Sequence, residues 1–251
     1  IPAVFSNADG HKKSISAPGI GNYLTMSKAM AYLQKIVGKE GLTERTFIQA
    51  HGTSTPQNRV TESHVLSKAA TSFGATGIPV TALKAFLGHS QGTAGGDQLH
   101  LSLGVWKDGI LPGITTSSEL ANDVYQEGLH FQLKHQMYGK EFFDAALLNS
   151  KGFGGNNATA ILLAPHKTME MLSKRYSKEE LEAHANKKIK VKEAAEAYNQ
   201  AAIHGQVRPV YKFGFNVLGG EDLTINDKEI RLPGYEMPVV FDINNEFSDI
   251  S

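Results

Sequence analysis

Met26, Ala29, Met30, Leu33, Ile36 and Val37 recur at helical spacing, and Gly38 and Gly41 stop the pattern, so an amphipathic helix is predicted from about Pro18 and Gly19 onward. Before it, I-P-A-V-F at 1–5 reads as a strand ended by the polar turn S-N-A-D-G-H-K-K. The run F-I-Q-A at 47–50 and the run I-P-V-T-A-L-K at 78–84, rich in small and β-branched residues, predict two further strands. A helix is expected over 59–73 between them. Another follows G-H-S-Q-G-T-A-G-G and runs to about Lys107, with so little polar surface between Leu99 and Trp106 that burial on all sides is expected. F-D-A-A-L-L-N-S and A-T-A-I-L-L-A flank the loop K-G-F-G-G-N-N at 151–157 and predict an antiparallel pair.

After Pro165 the pattern changes. Residues 168–204 are dense in Lys, Glu and Ala with few large apolar side chains, which predicts exposed helix, and V-R-P-V-Y-K-F-G-F and P-V-V-F-D-I predict strands. The expected division therefore falls near 166, with an α/β domain over 1–165 and a helical, then strand-rich α+β extension over 166–251.

Composition narrows the functional classes. Hydrophobic residues at 41%, charged residues at 20% and 25 glycines describe a globular chain of 251 residues. Lys plus Arg equals Asp plus Glu at 25 each, so the net attraction that favours nucleic acid or an anionic membrane is absent, and neither partner is expected. No apolar stretch approaches the roughly 20 residues that span a bilayer, and no signal-peptide pattern opens the chain, so a cytoplasmic location is expected. The absence of cysteine excludes disulfides, thiolate metal sites and a cysteine nucleophile within this chain. The first residue, Ile1, already stands inside a strand-like run, the pattern of a chain that begins within something larger.

Three glycine-punctuated turns each follow a strand: H-G-T-S-T at 51, K-A-F-L-G-H-S-Q-G-T-A-G-G at 84 and N-S-K-G-F-G-G-N-N at 149. Loops leaving one edge of an α/β sheet converge, so their shared placement points to a single site, although each alone is equally compatible with ordinary turn chemistry. His51 and His89 stand just past apolar runs, where two neutral imidazoles can donate N–H bonds to an oxygen that becomes negative during reaction. Neither has a second ligand at metal-binding spacing, so no metal is expected. Lys84, expected at the end of a buried strand, needs a carboxylate or histidine partner, and Glu62 is a candidate. Thr53 and Thr55 alternate, so both hydroxyls can face one side, as ligand contacts or as turn caps.

In order, H-G-T-S-T-P, K-x-x-x-G-H-x-x-G-x-A-G and N-S-x-G-F-G-G-x-N resemble the C-terminal half of the β-ketoacyl synthases, condensing enzymes of the thiolase fold. The resemblance covers about residues 1–165, including S-N-A-D-G and I-S-A-P. The Q-N-R segment and the added C-terminal region are most similar to the long initiating synthases that prime fatty-acid synthesis with a short acyl-CoA. It implies an α/β fold, the C-terminal half of a layered αβαβα thiolase-like architecture, and decarboxylative Claisen condensation of an acyl thioester with malonyl-acyl carrier protein. His51 and His89 would stabilise the enolate, with Lys84 positioning His89 and Glu62 in its network. Thr53 and Thr55 would bond the phosphopantetheine arm of the carrier protein or coenzyme A, and no cofactor would be permanently bound. Phe153, with Gly154 beside it, would gate the acyl pocket and lend a backbone N–H to the oxyanion hole. The nucleophilic cysteine would come from an N-terminal half or companion chain, and the complete enzyme would be a homodimer. A different expectation is a non-catalytic subunit that shapes its partner's acyl pocket. Two residues depart from the family pattern: Arg59 stands where an acidic residue is usual and Lys151 where an aromatic is usual, and either could serve a phosphate of coenzyme A or the carrier protein.

Overall fold

The computed structural model describes residues 1–10, 19–208, 214, 217–245, 248 and 249. The I-S-A-P segment, the H-K-K end of the first polar turn and most of the strand expected at 207–215 lie outside the described residues.

A six-stranded mixed sheet organises the first unit, Ile1–Glu182. Its strands are β1 (Ala3–Ala8), β2 (Thr46–Gln49), β3 (Ile78–Thr81), β5 (Leu129–Phe131), β7 (Ala145–Gly152) and β8 (Asn156–Leu163), in the spatial order β1-β8-β7-β2-β3-β5. β7, β2, β3 and β5 run parallel, whereas β8 pairs antiparallel with both β7 and β1. Two further strands among the described residues of this unit, β4 (Ile110–Leu111) and β6 (Gln136–Met137), form a small antiparallel ribbon.

The strand alternation sorts the core into two layers. On one face Ile48, Val80, Leu147 and Ile161 pack against Met26, Met30 and Leu33 of α1 (Ile20–Thr43) and Val65, Leu66 and Ala69 of α2 (Pro56–Ser72). On the other, Phe47, Ala146, Leu148 and Leu162 pack with Val105 and Trp106 of α4 (Ala94–Asp108), and the Trp106 indole donates to the Phe143 carbonyl at 2.8 Å. Truncating a fully buried member such as Leu147 or Leu66 removes about 2–5 kcal/mol of stability.

Several elements differ from expectation. The first strand continues through Ser6, Asn7 and Ala8, because pairing with Ala158, Asn157 and Asn156 of β8 satisfies a stretch whose polar side chains resemble a turn. Helix α1 runs past Gly38, where φ of 77° breaks the helical path, and resumes to Thr43. The third strand ends at Thr81 rather than at 84, and Lys84 opens the short helix α3 (Lys84–Leu87). In this chain α4 is one-sided: Ala94, Gln98, Ser102, Val105 and Trp106 form its buried face, whereas Leu103 is 48% exposed.

The Lys/Glu-rich region forms α5 (Pro165–Ser173) and α6 (Lys178–Ile203), neither with a buried residue. By compactness the chain divides within α6, after Glu182. α5 belongs with the first unit because His166 Nε2 lies 3.0 Å from Asp144, which also receives both Arg45 nitrogens at 3.0 Å. Burial pushes the Asp144 carboxyl up, but the Arg45 and His166 hydrogen bonds outweigh it and hold it below the usual carboxylate range. The second unit, Ala183–Ser251, contains the rest of α6 and a three-stranded antiparallel sheet, in which β10 (Glu229–Arg231) lies between β9 (Thr224–Ile225) and β11 (Val239–Val240). Among the described residues no helix is long and apolar enough to cross a membrane.

Candidate active site

The parallel strand β2 ends at Gln49, opposite Leu148 of β7, which runs on to Gly152, and the site is built beside that overhang. β2 delivers His51, 6% exposed, into a turn at Gly52 whose φ is 59°. A side chain at Gly52 would be strained at that φ, and its Cβ would lie 2.5 Å from the Ala82 methyl group, so only glycine fits between β2 and β3. Glu62, on the second turn of α2, fixes this turn. One carboxylate oxygen accepts the His51 backbone N–H at 2.7 Å and the Asn149 amide at 2.7 Å; the other accepts the Gly52 N–H at 2.9 Å and the Asn58 amide at 3.0 Å. Four donors thus saturate a carboxylate that is only 4% exposed.

Lys84 and Glu62 do not form an ion pair. The Lys84 ammonium donates instead to the His51 carbonyl at 2.7 Å and lies 3.5 Å from His51 Nδ1. Because Lys84 starts a helix and not the last position of a strand, its side chain reaches the histidine turn from the side of β3, and Glu62 meets it only through the His51 backbone. Burial lowers the Lys84 pKa, opposed by the charges of Glu62 and Asp97.

The imidazole of His51 accepts the Lys151 backbone N–H at Nδ1, 3.2 Å away. Its proton therefore sits on Nε2, which becomes the free donor of the ring. Burial is the largest cause of a His51 pKa lowered to about 4; Lys84, His89 and Lys151 lower it further, and Glu62 alone opposes them. His89 has the same tautomer for the same kind of reason, because its Nδ1 accepts the Gln91 N–H at 2.9 Å, a contact made with Gln91 at φ of 57°. Its pKa is also lowered, by burial and then by Lys84. The two rings stand edge to face with centroids 5.1 Å apart at 79°, and both line an open cleft of about 650 Å³ between the ends of β1, β7 and β8 and the start of α4. Two neutral N–H donors at one cleft can bind an oxygen on which negative charge develops.

Other sequence candidates lie around this centre. Thr53 and Thr55 turn their hydroxyls to one side, 3.3 Å apart. Phe153 is 79% exposed at the β7–β8 turn, next to Gly154 with φ of 81°. Arg59 is engaged by both oxygens of Asp123, at 2.7 and 2.6 Å, which commits its guanidinium within the chain. Lys151 is 9% exposed, and its ammonium donates to Thr61 Oγ1 at 3.2 Å. Neither cation stands as the free surface charge that a phosphate contact would use. Among the described residues no group of three or more metal-ligating side chains converges.

Sequence reasoning missed the amides that join the turns. Gln98, 2% exposed on α4, donates to the carbonyls of Ala50 at 2.9 Å and Asn149 at 3.0 Å, and its own oxygen accepts the Ser150 hydroxyl at 3.1 Å. Asn149 links Glu62 to Asn22 of α1, which donates to it at 2.7 Å. Glutamine and asparagine carry no periodic or spacing signal, and their partners lie tens of residues away in sequence.

Known proteins resemble this chain in sequence and in fold. Residues 1–117 match the model of the β-ketoacyl synthase C-terminal domain. The chain is 44% identical over 250 residues to the β-ketoacyl-[acyl-carrier-protein] synthase FabY of Pseudomonas aeruginosa, covering 100% of this chain and 39% of that protein. The crystal structure of that noncanonical ketosynthase superposes with a TM-score of 0.81 at 43% identity, over 99% of this chain and 39% of the other. A 3-oxoacyl-[acyl-carrier-protein] synthase 2 of Vibrio harveyi is 31% identical over 151 residues, 60% of this chain and 34% of that protein. The chain thus spans about two fifths or less of the length of these relatives. Its mixed sheet with helices on both faces is part of the thiolase-like architecture of ketosynthases, and the chain belongs to the β-ketoacyl synthase family, of which it carries the C-terminal half.

Proposed function

We propose that this chain supplies the two-histidine part of a condensing enzyme that joins an acyl thioester to malonyl-acyl carrier protein in cytoplasmic fatty-acid synthesis. The observation that carries the reading is the pairing of His51 and His89: each accepts a backbone N–H at Nδ1, so each offers an Nε2–H donor beside one cleft. The relative from Pseudomonas aeruginosa is named a β-ketoacyl-[acyl-carrier-protein] synthase, which supports the same reaction class here.

In this reaction the two N–H groups hold the carbonyl oxygen of the malonyl thioester. Breakage of the bond to the carboxylate carbon releases carbon dioxide and sends its electron pair into an enolate, whose negative oxygen both donors stabilise. The enolate carbon then attacks the acyl carbonyl carried on a cysteine; a carbon–carbon bond forms and the cysteine leaves as thiolate. This chain has no cysteine, so an N-terminal half or companion polypeptide supplies it. Lys84 and Glu62 act through the His51 backbone, holding the donor where the oxygen binds. Thr53 and Thr55 bond the phosphopantetheine arm of carrier protein or coenzyme A. Phe153 gates the acyl pocket, and its backbone N–H joins that of Gly154 at the oxyanion of the attacked acyl group. The complete enzyme works as a homodimer.

The test is carbon dioxide release from radiolabelled malonyl-carrier protein, measured separately from condensation in His51→Ala and His89→Ala enzyme. Both variants are expected to lose most decarboxylation, by roughly a hundredfold or more. Unchanged release in both would overturn the assignment and leave a subunit that shapes its partner's pocket without chemistry of its own.

A further inference from the structure

Lys151 is a buried cation that the reaction described above does not use. Along β7 the side chains alternate: Asn149 and Lys151 turn towards α2, where they meet Glu62 and Thr61, and Ser150 turns towards Gln98 on α4. The Thr61 hydroxyl donates to the Gln57 carbonyl at 2.9 Å, one turn back in α2, so its lone pairs face the Lys151 ammonium. That hydroxyl is the hydrogen-bond partner of an ammonium with three donors, and Lys151 forms no ion pair among the described residues. Burying a charge so thinly partnered is unfavourable, and an apolar side chain would fill the same place without that penalty.

What the position offers is its relation to His51. The backbone N–H of Lys151 is the group bonded to His51 Nδ1, so the buried charge rides on the residue that fixes the imidazole tautomer. The charged and titratable groups facing His51 are Glu62 from α2, Lys84 from α3, His89 from the loop that follows, and Lys151 from β7. The charge of Glu62 also acts on both lysines, with Asp9 adding to it at Lys151 and Asp97 at Lys84. Glu62 is already shared among four N–H donors, so two cations oppose one carboxylate around the ring. A proton added to Nδ1 would break the bond from Lys151 and place a third positive charge between two others.

We propose that Lys151 is a positioning residue for His51: its ammonium, seated on Thr61, acts with Lys84 to keep the imidazole neutral, with Nδ1 open to the Lys151 N–H and the proton on Nε2. The catalytic consequence rests on the reading of His51 as a donor to the thioester oxygen; the electrostatic arrangement does not.

Nitrogen-15 NMR titration of His51 in the complete protein, with Lys151→Gln and Lys151→Arg, separates charge from shape. Lys151→Gln keeps a polar group near Thr61 and removes the charge, and is expected to make His51 about tenfold easier to protonate, a midpoint roughly one pH unit higher. Lys151→Arg is expected to titrate like the parent. A parental midpoint in Lys151→Gln, or a raised one in Lys151→Arg, would overturn the proposal. If Lys151→Gln does not fold, Thr61→Val unseats the ammonium while keeping it, and a smaller rise in the same direction is expected; no rise would overturn the proposal equally. In turnover, the acid limb of kcat is expected to move to higher pH in Lys151→Gln with KM for the malonyl thioester unchanged, whereas a structural defect would depress the rate at every pH. If the NMR midpoint moves but carbon dioxide release is indifferent to His51→Ala, the positioning role stands and the proposed function fails.

Discussion

Glu62 and Lys84 hold opposite ends of one residue: the Glu62 carboxylate accepts the His51 N–H at 2.7 Å, and the Lys84 ammonium donates to the His51 carbonyl at 2.7 Å. A charge of each sign therefore fixes the backbone of His51 without the two side chains touching. The histidine stands in a turn, where backbone freedom is usually greatest, yet its position is set by two charge-assisted bonds.

Removing the anion leaves the most groups stranded. Glu62→Ala leaves the N–H groups of His51 and Gly52 and the amides of Asn58 and Asn149 without an acceptor in a buried space. A loss of about 3–5 kcal/mol is expected, read as a lower denaturant midpoint with unchanged slope. Glu62→Gln keeps the shape but turns an NH2 group towards donors, and should recover less than half of that loss.

The cation matters to placement as well as to folding. In Lys84→Met the His51 carbonyl loses one charged donor, and stability is expected to fall by about 1–3 kcal/mol. Decarboxylation is expected to fall roughly a hundredfold, because a shift of about 1 Å in a donor has that effect. Parallel melting curves and carbon dioxide assays of the one variant check both halves.

Acid should unfold this protein partly through His51. Its folded pKa of about 4 lies below the ordinary histidine value of 6.5, so the unfolded chain binds the extra proton first. The contribution is fully present above pH 6.5, fades as pH falls through the window, and is lost by about pH 4; its size is on the order of 3 kcal/mol. Urea midpoints measured between pH 4 and 7 should show a steeper slope in the parent than in His51→Gln. Equal slopes would count against the buried neutral ring.

Gln98 gives a prediction about coupling between turns. Gln98→Leu matches the volume closely but leaves the Ala50 and Asn149 carbonyls and the Ser150 hydroxyl without their partner. About 2–3 kcal/mol of stability should be lost, and Gln98→Glu, which puts carboxylate oxygens against those carbonyls, should lose more at neutral pH than at pH 4.

Much of the sheet was legible because its strands are short apolar runs closed by glycine turns, and the β7–β8 pair and the order of the site-bearing loops follow from that alone. Glu62 was legible only as a neighbour of Lys84; the structure gives it four amide donors and no contact with the lysine, a pattern that depends on backbone direction and leaves no trace in spacing. Lys151 was legible only as a departure from the family pattern and a candidate phosphate contact, and Thr61, its partner 90 positions earlier, carries no signal of that role. The α4 face was misjudged for a related reason. Its buried positions include Gln98 and Ser102, while Leu103 is outward, so hydropathy along the helix runs against the direction it faces.

The alternation along the end of β7 also limits how the gene can be edited. Asn149, Ser150 and Lys151 serve Glu62, Gln98 and Thr61 on opposite sides of the sheet. One residue inserted or deleted before Lys151 would exchange those sides in a single step, handing a lysine to the helix that expects a serine. The glycines just beyond, at 154 and 155, belong to the turn, where the Gly155 carbonyl accepts the Asp9 N–H at 2.8 Å and the Asn157 amide at 3.0 Å. A library that shifts the strand by one will therefore read as a loss of the whole site even though every side chain in it is still encoded.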